Sequence, residues 1–143
     1  MSASLPHGGA QILWTSQDAI AATGGVCMIE WQANGVSIDS RSVEIGDLFA
    51  ALKGPHHDGH NFVEDALKKG AAAALVHVQP KNTASSTPLL VVDDTMTALR
   101  SLGAASRART AAKIIAITGS VGKTGTKEAL KFVLAEQAMT HAS

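Results

Sequence analysis

From Leu48 onward, short apolar runs alternate with helix-like segments, and no other feature of the chain restricts its fold as strongly. Leu48 to Leu52 reads as a strand leading into a Gly- and His-rich loop. A helix from about Phe62 to Lys69 follows, stopped by Gly70, and then a strand over Ala73 to Val78. Beyond the polar loop Lys81 to Pro88, Leu89 to Val92 reads as a strand, and Asp93-Asp94-Thr95 can cap a helix running to about Arg109. A third unit begins with a strand over Ile114 to Ile117, passes through a loop and continues as a helix from about Thr124 to Gln137. Parallel neighbours need crossover connections, so this alternation predicts an α/β fold with a largely parallel sheet.

Upstream, Thr15-Ser16-Gln17-Asp18 has the form of a capping box opening a short helix over Ala19 to Thr23, which Gly24-Gly25 ends. Residues 1–13 read as a tail. Val26 to Ile38 reads as two short strands around Asn34-Gly35, a pair that hairpin turns favour. Ser106 to Thr110 is the best candidate boundary, giving domains over 14–110 and 111–143. The second, with one strand, one loop and one helix, is too small to bury a core of its own. Its strand at Ile114 to Ile117 must pair with the N-terminal sheet, self-associate with another molecule, or fray.

Composition narrows the function. The chain has 143 residues, 45% of them hydrophobic and 17% charged, as in ordinary soluble domains. With 12 basic and 12 acidic residues, no net field favours nucleic acid or an anionic membrane, so any phosphate must be held locally. The one cysteine, Cys27, cannot form an intrachain disulfide and reads as a small half-buried side chain. No stretch approaches the roughly 18 apolar residues of a membrane span, and the first residues lack a secretory pattern. A cytoplasmic protein is expected.

In Ala116-Ile117-Thr118-Gly119-Ser120-Val121-Gly122-Lys123-Thr124 an apolar strand runs directly into glycines and then Lys-Thr at a helix start. Glycines allow backbone N–H groups to converge on an anion, and the helix terminus adds partial positive charge. Lys123 can reach the β and γ phosphates of a nucleotide, and the Thr124 hydroxyl can ligate Mg²⁺. Ile117 occupies the position of the first glycine in the full phosphate-loop pattern. ATP with Mg²⁺ is the favoured ligand, over Gly119, Ser120, Val121, Gly122, Lys123, Thr124 and Gly125, and Lys123 and Thr124 are the candidate catalytic pair. The alternative is a Gly-rich turn with a solvated lysine.

Read together with the earlier segments, the loop carries a resemblance. Ser37 to Arg41, Ile45 to Gly54 and Asp58-Gly59-His60-Asn61-Phe62 are similar in order and spacing to the N-terminal signature of the Mur ligases, from about Trp14 to the chain end. Thr-Gly-Ser-x-Gly-Lys-Thr followed by Lys127-Glu128 resembles the members that join D-alanyl-D-alanine to UDP-N-acetylmuramoyl-tripeptide. Gly125 departs from the Ser or Thr usual there, removing a hydroxyl near the phosphates. The resemblance implies a small substrate domain of mixed sheet and flanking helices, then the first strand, phosphate loop and helix of an incomplete ATPase domain. It also implies ATP-dependent amide ligation in peptidoglycan synthesis through an acyl phosphate, with this stretch inactive by itself. UDP-muramoyl-peptide contacts are implied at Asp39, Ser40, Arg41, Lys53, Gly54, Asp58, Gly59 and His60. The D-alanyl-D-alanine site would lie mostly elsewhere.

Blander readings stand beside these. Asp39 to Arg41 also fits a capped turn with a surface ion pair. His56, His57, Asp58 and His60 lack a distant partner with metal-site spacing, and a helix-start role for His60-Asn61 is more economical. Trp14 and Trp31 read as packing residues. A stand-alone UDP-muramoyl-peptide-binding module, another Mur ligase, or an unrelated phosphate-loop NTPase remain as competing functions.

Overall fold

A computed structural model describes residues 11–81 and 83–142 of the chain. The chain forms two units, the first ending at Thr110 and the second starting at Ala111. The first contains β1 (Trp14–Thr15), α1 (Ser16–Thr23), β2 (Val26–Cys27), β3 (Gln32–Ala33), β4 (Gly35–Ser37) and β5 (Asp47–Ala50). A 3-10 turn (Gly59–Phe62), α2 (Val63–Lys68), β6 (Ala73–Val76), β7 (Leu89–Val91) and α3 (Thr95–Arg109) complete it. Five strands form one sheet in the order β2-β7-β6-β5-β4. β4 to β7 are mutually parallel, and β2 lies antiparallel on the β7 edge.

The sheet is mixed and largely parallel, as the alternation predicted, but only the β5–β6 crossover carries helix. The described residues of the β4–β5 and β6–β7 connections, 38–46, 77–81 and 83–88, form loops. Strands of three or four residues span only about 10–13 Å, at roughly 3.3 Å per residue, so an extended loop returns the chain without a helix.

Successive side chains of a strand point to opposite faces, and this divides the core. Leu48 and Ala50 of β5 join Leu75 of β6 in a cluster with Trp14, Ala19, Trp31, Ala98 and Leu102, beneath α1 and α3. Phe49 and Ala51 face the other way, with Ala74, Val76, Leu89 and α2 residues Val63 and Ala66. All four residues of β5 and of β6 are buried. The result is a sheet with helix on both sides, in which both tryptophans are packing residues, as expected, and Cys27 is half-buried.

The caps follow the sequence, although α1 starts at Ser16 rather than Ala19 and α4 runs from Lys123 to Ala135 rather than from Thr124 to Gln137. Thr15 accepts from the Asp18 amide and its hydroxyl donates to the Asp18 carboxylate, closing a local cap, while Gly24 ends α1 in the left-handed conformation, φ 72°. Asp94 caps α3 by accepting from Thr97 N–H at 2.7 Å. Of the expected tail, residues 1–10 lie outside the described residues, and Leu13 N–H donates to Ala33 O.

Two expected elements are absent. Asn34-Gly35 makes no hairpin: β3 pairs antiparallel with β1, while β4 pairs parallel with β5, so the dipeptide passes the chain from one sheet to another. Gly35 has no positive φ. Its lack of a side chain serves close packing instead, since a Cβ there would collide with Asp47 Oδ1. Nor is there a strand at Ile114 to Ile117, although residues 111–119 are described. A strand exists only through ladder hydrogen bonds to a neighbour, and among the described residues of the second unit the regular structure is α4 (Lys123–Ala135), which supplies none.

Candidate functional site

Three segments hold the residues singled out above. The first is the turn after β4. Arg41 donates from its backbone N–H and Nε to Asp39 Oδ1 (2.9 and 3.0 Å), and from Nη2 to Oδ2 (2.7 Å). This hydrogen bonding holds the Asp39 carboxyl down to about 2 and pushes the Arg41 guanidinium up. The Ser37 and Ser42 hydroxyls both donate to Asp39 O. Ser40 contributes its carbonyl, which accepts from Lys69 Nζ at 2.6 Å. The Arg41 side chain is 87% exposed, so the turn presents a guanidinium already oriented by its own carboxylate.

The second segment follows β5. Gly54 N–H donates to His57 O, Lys53 and Asp58 form an antiparallel bridge, and Gly59 N–H donates to Leu52 O, folding 52–59 into a tight loop. Gly59 is required by proximity, because a Cβ would lie 2.9 Å from Ala51 Cα and from Leu52 N and O. His60 and Asn61 lie in the 3-10 turn that opens the helical segment, and Asp58 caps it: Oδ1 accepts from His60 N–H at 3.0 Å. Those bonds, with the His60 ring second in effect and Lys53 nearby, push the Asp58 carboxyl down. The ring of His60 lies 2.6 Å from Asp58 and accepts from His77 N–H at the end of β6. Lys53 makes no side-chain ion pair among the described residues.

These two segments are held separately. The Asp39–Arg41 turn is tied to the end of α2 by Lys69, and loop 52–59 is tied to β6 by His60. No hydrogen bond or ion pair between the segments occurs among the described residues. Both leave the carboxyl ends of parallel strands, where open α/β sheets ordinarily bind ligands.

The third segment lies in the second unit. Gly119 and Gly122 have φ of 150° and 77°, and Gly122 is the N-cap of α4, with Lys123 and Thr124 as its first residues. No side chain caps this terminus, so its first-turn N–H groups are open to an anion. Gly119 to Lys123, Thr124 and Gly125 are exposed, and Gly125 sits within the first turn.

Two residues outside the sequence-based set emerge as structural partners: Lys69, which holds the Asp39–Arg41 turn, and His77, which holds His60. Neither carried a local signal, because each contact joins positions far apart in the chain. Two shallow surface depressions, of about 460 and 530 Å³, are lined by Thr15, Trp31 and neighbours and by one face of α4; none of the candidate residues lines either.

Comparison with known proteins gives these segments a context. The family model described as Mur ligase family, catalytic domain, matches residues 32–132. The UDP-N-acetylmuramoyl-tripeptide--D-alanyl-D-alanine ligase of Rickettsia prowazekii is 39% identical over 132 residues, 92% of this chain and 29% of that protein. A solved UDP-N-acetylmuramoylalanyl-D-glutamyl-2,6-diaminopimelate--D-alanyl-D-alanyl ligase from Acinetobacter baumannii superposes with a TM-score of 0.72 at 38% identity, covering 95% of this chain and 30% of its own. A Thermotoga maritima MurF ligase solved with ADP gives a TM-score of 0.54 at 31% identity, covering 71% of this chain and 23% of its own. This chain therefore spans less than a third of the relatives it matches. With the family model covering most of its length and both of its units, the chain belongs to the Mur ligase family.

Proposed function

We propose that the chain comprises the substrate domain and the opening of the ATP-binding domain of a cytoplasmic UDP-N-acetylmuramoyl-tripeptide:D-alanyl-D-alanine ligase of peptidoglycan synthesis. The observation that carries this reading is the co-occurrence, within one stretch similar to such ligases, of an exposed oriented guanidinium, a tight loop after β5 and an uncapped glycine-led helix terminus. In the reaction, the tripeptide carboxylate takes a phosphoryl group from ATP, and the amine of D-alanyl-D-alanine displaces phosphate from the acyl phosphate to form the amide.

Within that scheme Arg41, set by Asp39, offers outward N–H donors to the anionic nucleotide end of the muramoyl substrate, and Ser40 lies in the same turn, its carbonyl held by Lys69. Lys53 and Gly54, with Asp58, Gly59 and His60 shaping their loop, form the second contact. Residues Gly119 to Gly125 suit a polyphosphate because the α4 terminus presents unfilled N–H groups, Lys123 adds a mobile cation, and Thr124 offers a hard oxygen of the kind Mg²⁺ takes. Gly125 adds no hydroxyl.

Calorimetric titration tests the reading. The chain is expected to bind UDP-N-acetylmuramoyl-tripeptide, with affinity lowered about tenfold or more in Arg41→Ala, as for loss of a charge-assisted contact. Mg-ATP binding, where measured, should depend on Lys123 and vanish in Lys123→Ala. A chain that binds Mg-ATP through Lys123 but ignores the muramoyl peptide would overturn the substrate assignment. A second reading, a UDP-muramoyl-peptide-binding module, draws on the first unit having its own two-faced core. It requires muramoyl-peptide binding without any Lys123-dependent nucleotide binding.

A further inference from the structure

Both nitrogens of the His60 ring are engaged inside the protein. Nδ1 lies 2.6 Å from Asp58 Oδ1, and Nε2 lies 3.1 Å from the backbone nitrogen of His77. A backbone amide can only donate, so Nε2 is the bare acceptor, and the ring proton sits on Nδ1 and is donated to Asp58. The side chain is 12% exposed, and the His77 ring stands against it edge-on with centroids 4.2 Å apart. No polar atom of the ring is left for a ligand.

We infer that His60 is a positioning residue rather than a substrate contact: fixed as the Nδ1–H tautomer, it pins the loop carrying Lys53 and Gly54 to the carboxyl end of β6. The same Asp58 oxygen that takes the ring proton also caps the 3-10 turn, and Asp58 is the bridge partner of Lys53. Removing the imidazole thus loosens the capping carboxylate and the bridge together. The benefit to binding is pre-organisation: a loop already held in place loses less conformational freedom when an anionic ligand docks on it. That last step rests on the proposed function, in which the loop faces the muramoyl substrate; the tautomer and the anchoring do not.

The test begins with the unmodified chain at neutral pH. Long-range proton–nitrogen correlation spectra should show His60 with protonated Nδ1 and bare Nε2, the reverse of the form histidine favours in water. In His60→Phe, which keeps a ring but no nitrogen, the His77 amide should exchange with solvent about tenfold faster, as for loss of one hydrogen bond. His60→Gln, which can place an oxygen near the former Nε2, should recover most of that protection. Affinity for UDP-N-acetylmuramoyl-tripeptide should fall about tenfold in the Phe variant and recover in part in the Gln variant. An Nε2–H ring in the unmodified chain, or unchanged His77 exchange in a folded Phe variant, overturns the inference. An Nδ1–H ring in a chain that does not bind the nucleotide peptide upholds the anchoring and overturns the substrate reading of the loop instead.

Discussion

Asp39 and Arg41 satisfy one another within a single turn, and that pairing has a signature in pH. The Asp39 carboxyl is held at about 2, below its ordinary 3.8, chiefly by the Arg41 side chain and then by its backbone N–H. A lowered carboxyl pKa means that the pairing stabilises the fold fully above pH 3.8, and that this contribution fades as pH falls from there through about 2. Carboxyl-carbon NMR should give an Asp39 midpoint near 2 in the unmodified chain, moving up toward 3.8 in Arg41→Ala. A midpoint unmoved by that substitution would show that the Arg41 side chain is not the main cause. The surface ion pair expected of a capped turn at Asp39 to Arg41 is thus present, and it orients the guanidinium that the functional reading needs. Residue types and spacing announced this turn; the Lys69 bond that braces it joins positions 29 apart and left no mark in the local sequence.

For the elements, burial on both faces is what separates β5 and β6 from the rest. Phe49 and Leu75 lie in opposite clusters at 1% and 0% exposure. Phe49→Ala is expected to cost about 3–5 kcal/mol and Leu75→Ala about 2–5 kcal/mol of unfolding free energy in urea titrations, from lost transfer energy and a residual cavity. Ile45, 81% exposed, should tolerate Ala within about 0.5 kcal/mol. Comparable effects at all three positions would contradict the two-layered core. The apolar runs and the caps at Thr15, Gly24 and Asp94 were legible because they depend on near neighbours. Asn34-Gly35 misled for the same reason: its local preference for a turn gave way to long-range pairing of β4 with β5, where Gly35 is needed beside Asp47.

At the scale of the whole molecule the two units differ in what supports them. The first has a sheet covered on both sides, whereas α4 in the second has no buried residue. A helix of its length is marginal in water without packing. Limited trypsin digestion should cut at Lys113, in the exposed stretch without regular structure, before Arg109, whose guanidinium stacks 4.1 Å over Trp14 and donates to Leu13 O. The remaining first unit should melt at the temperature of the intact chain; a large drop would mean that residues beyond Lys113 support its core. The order of residues alone carried the α/β class, the caps at Thr15, Gly24 and Asp94 and the helix end near Arg109, because these rest on periodicity and capping within a few residues. The strand order, the absence of a hairpin at Asn34-Gly35 and of a strand at Ile114 to Ile117, and the use of the His60 ring emerged from long-range contacts. Each depends on which distant backbone group is present to donate or accept a hydrogen bond, and no local pattern specifies that partner.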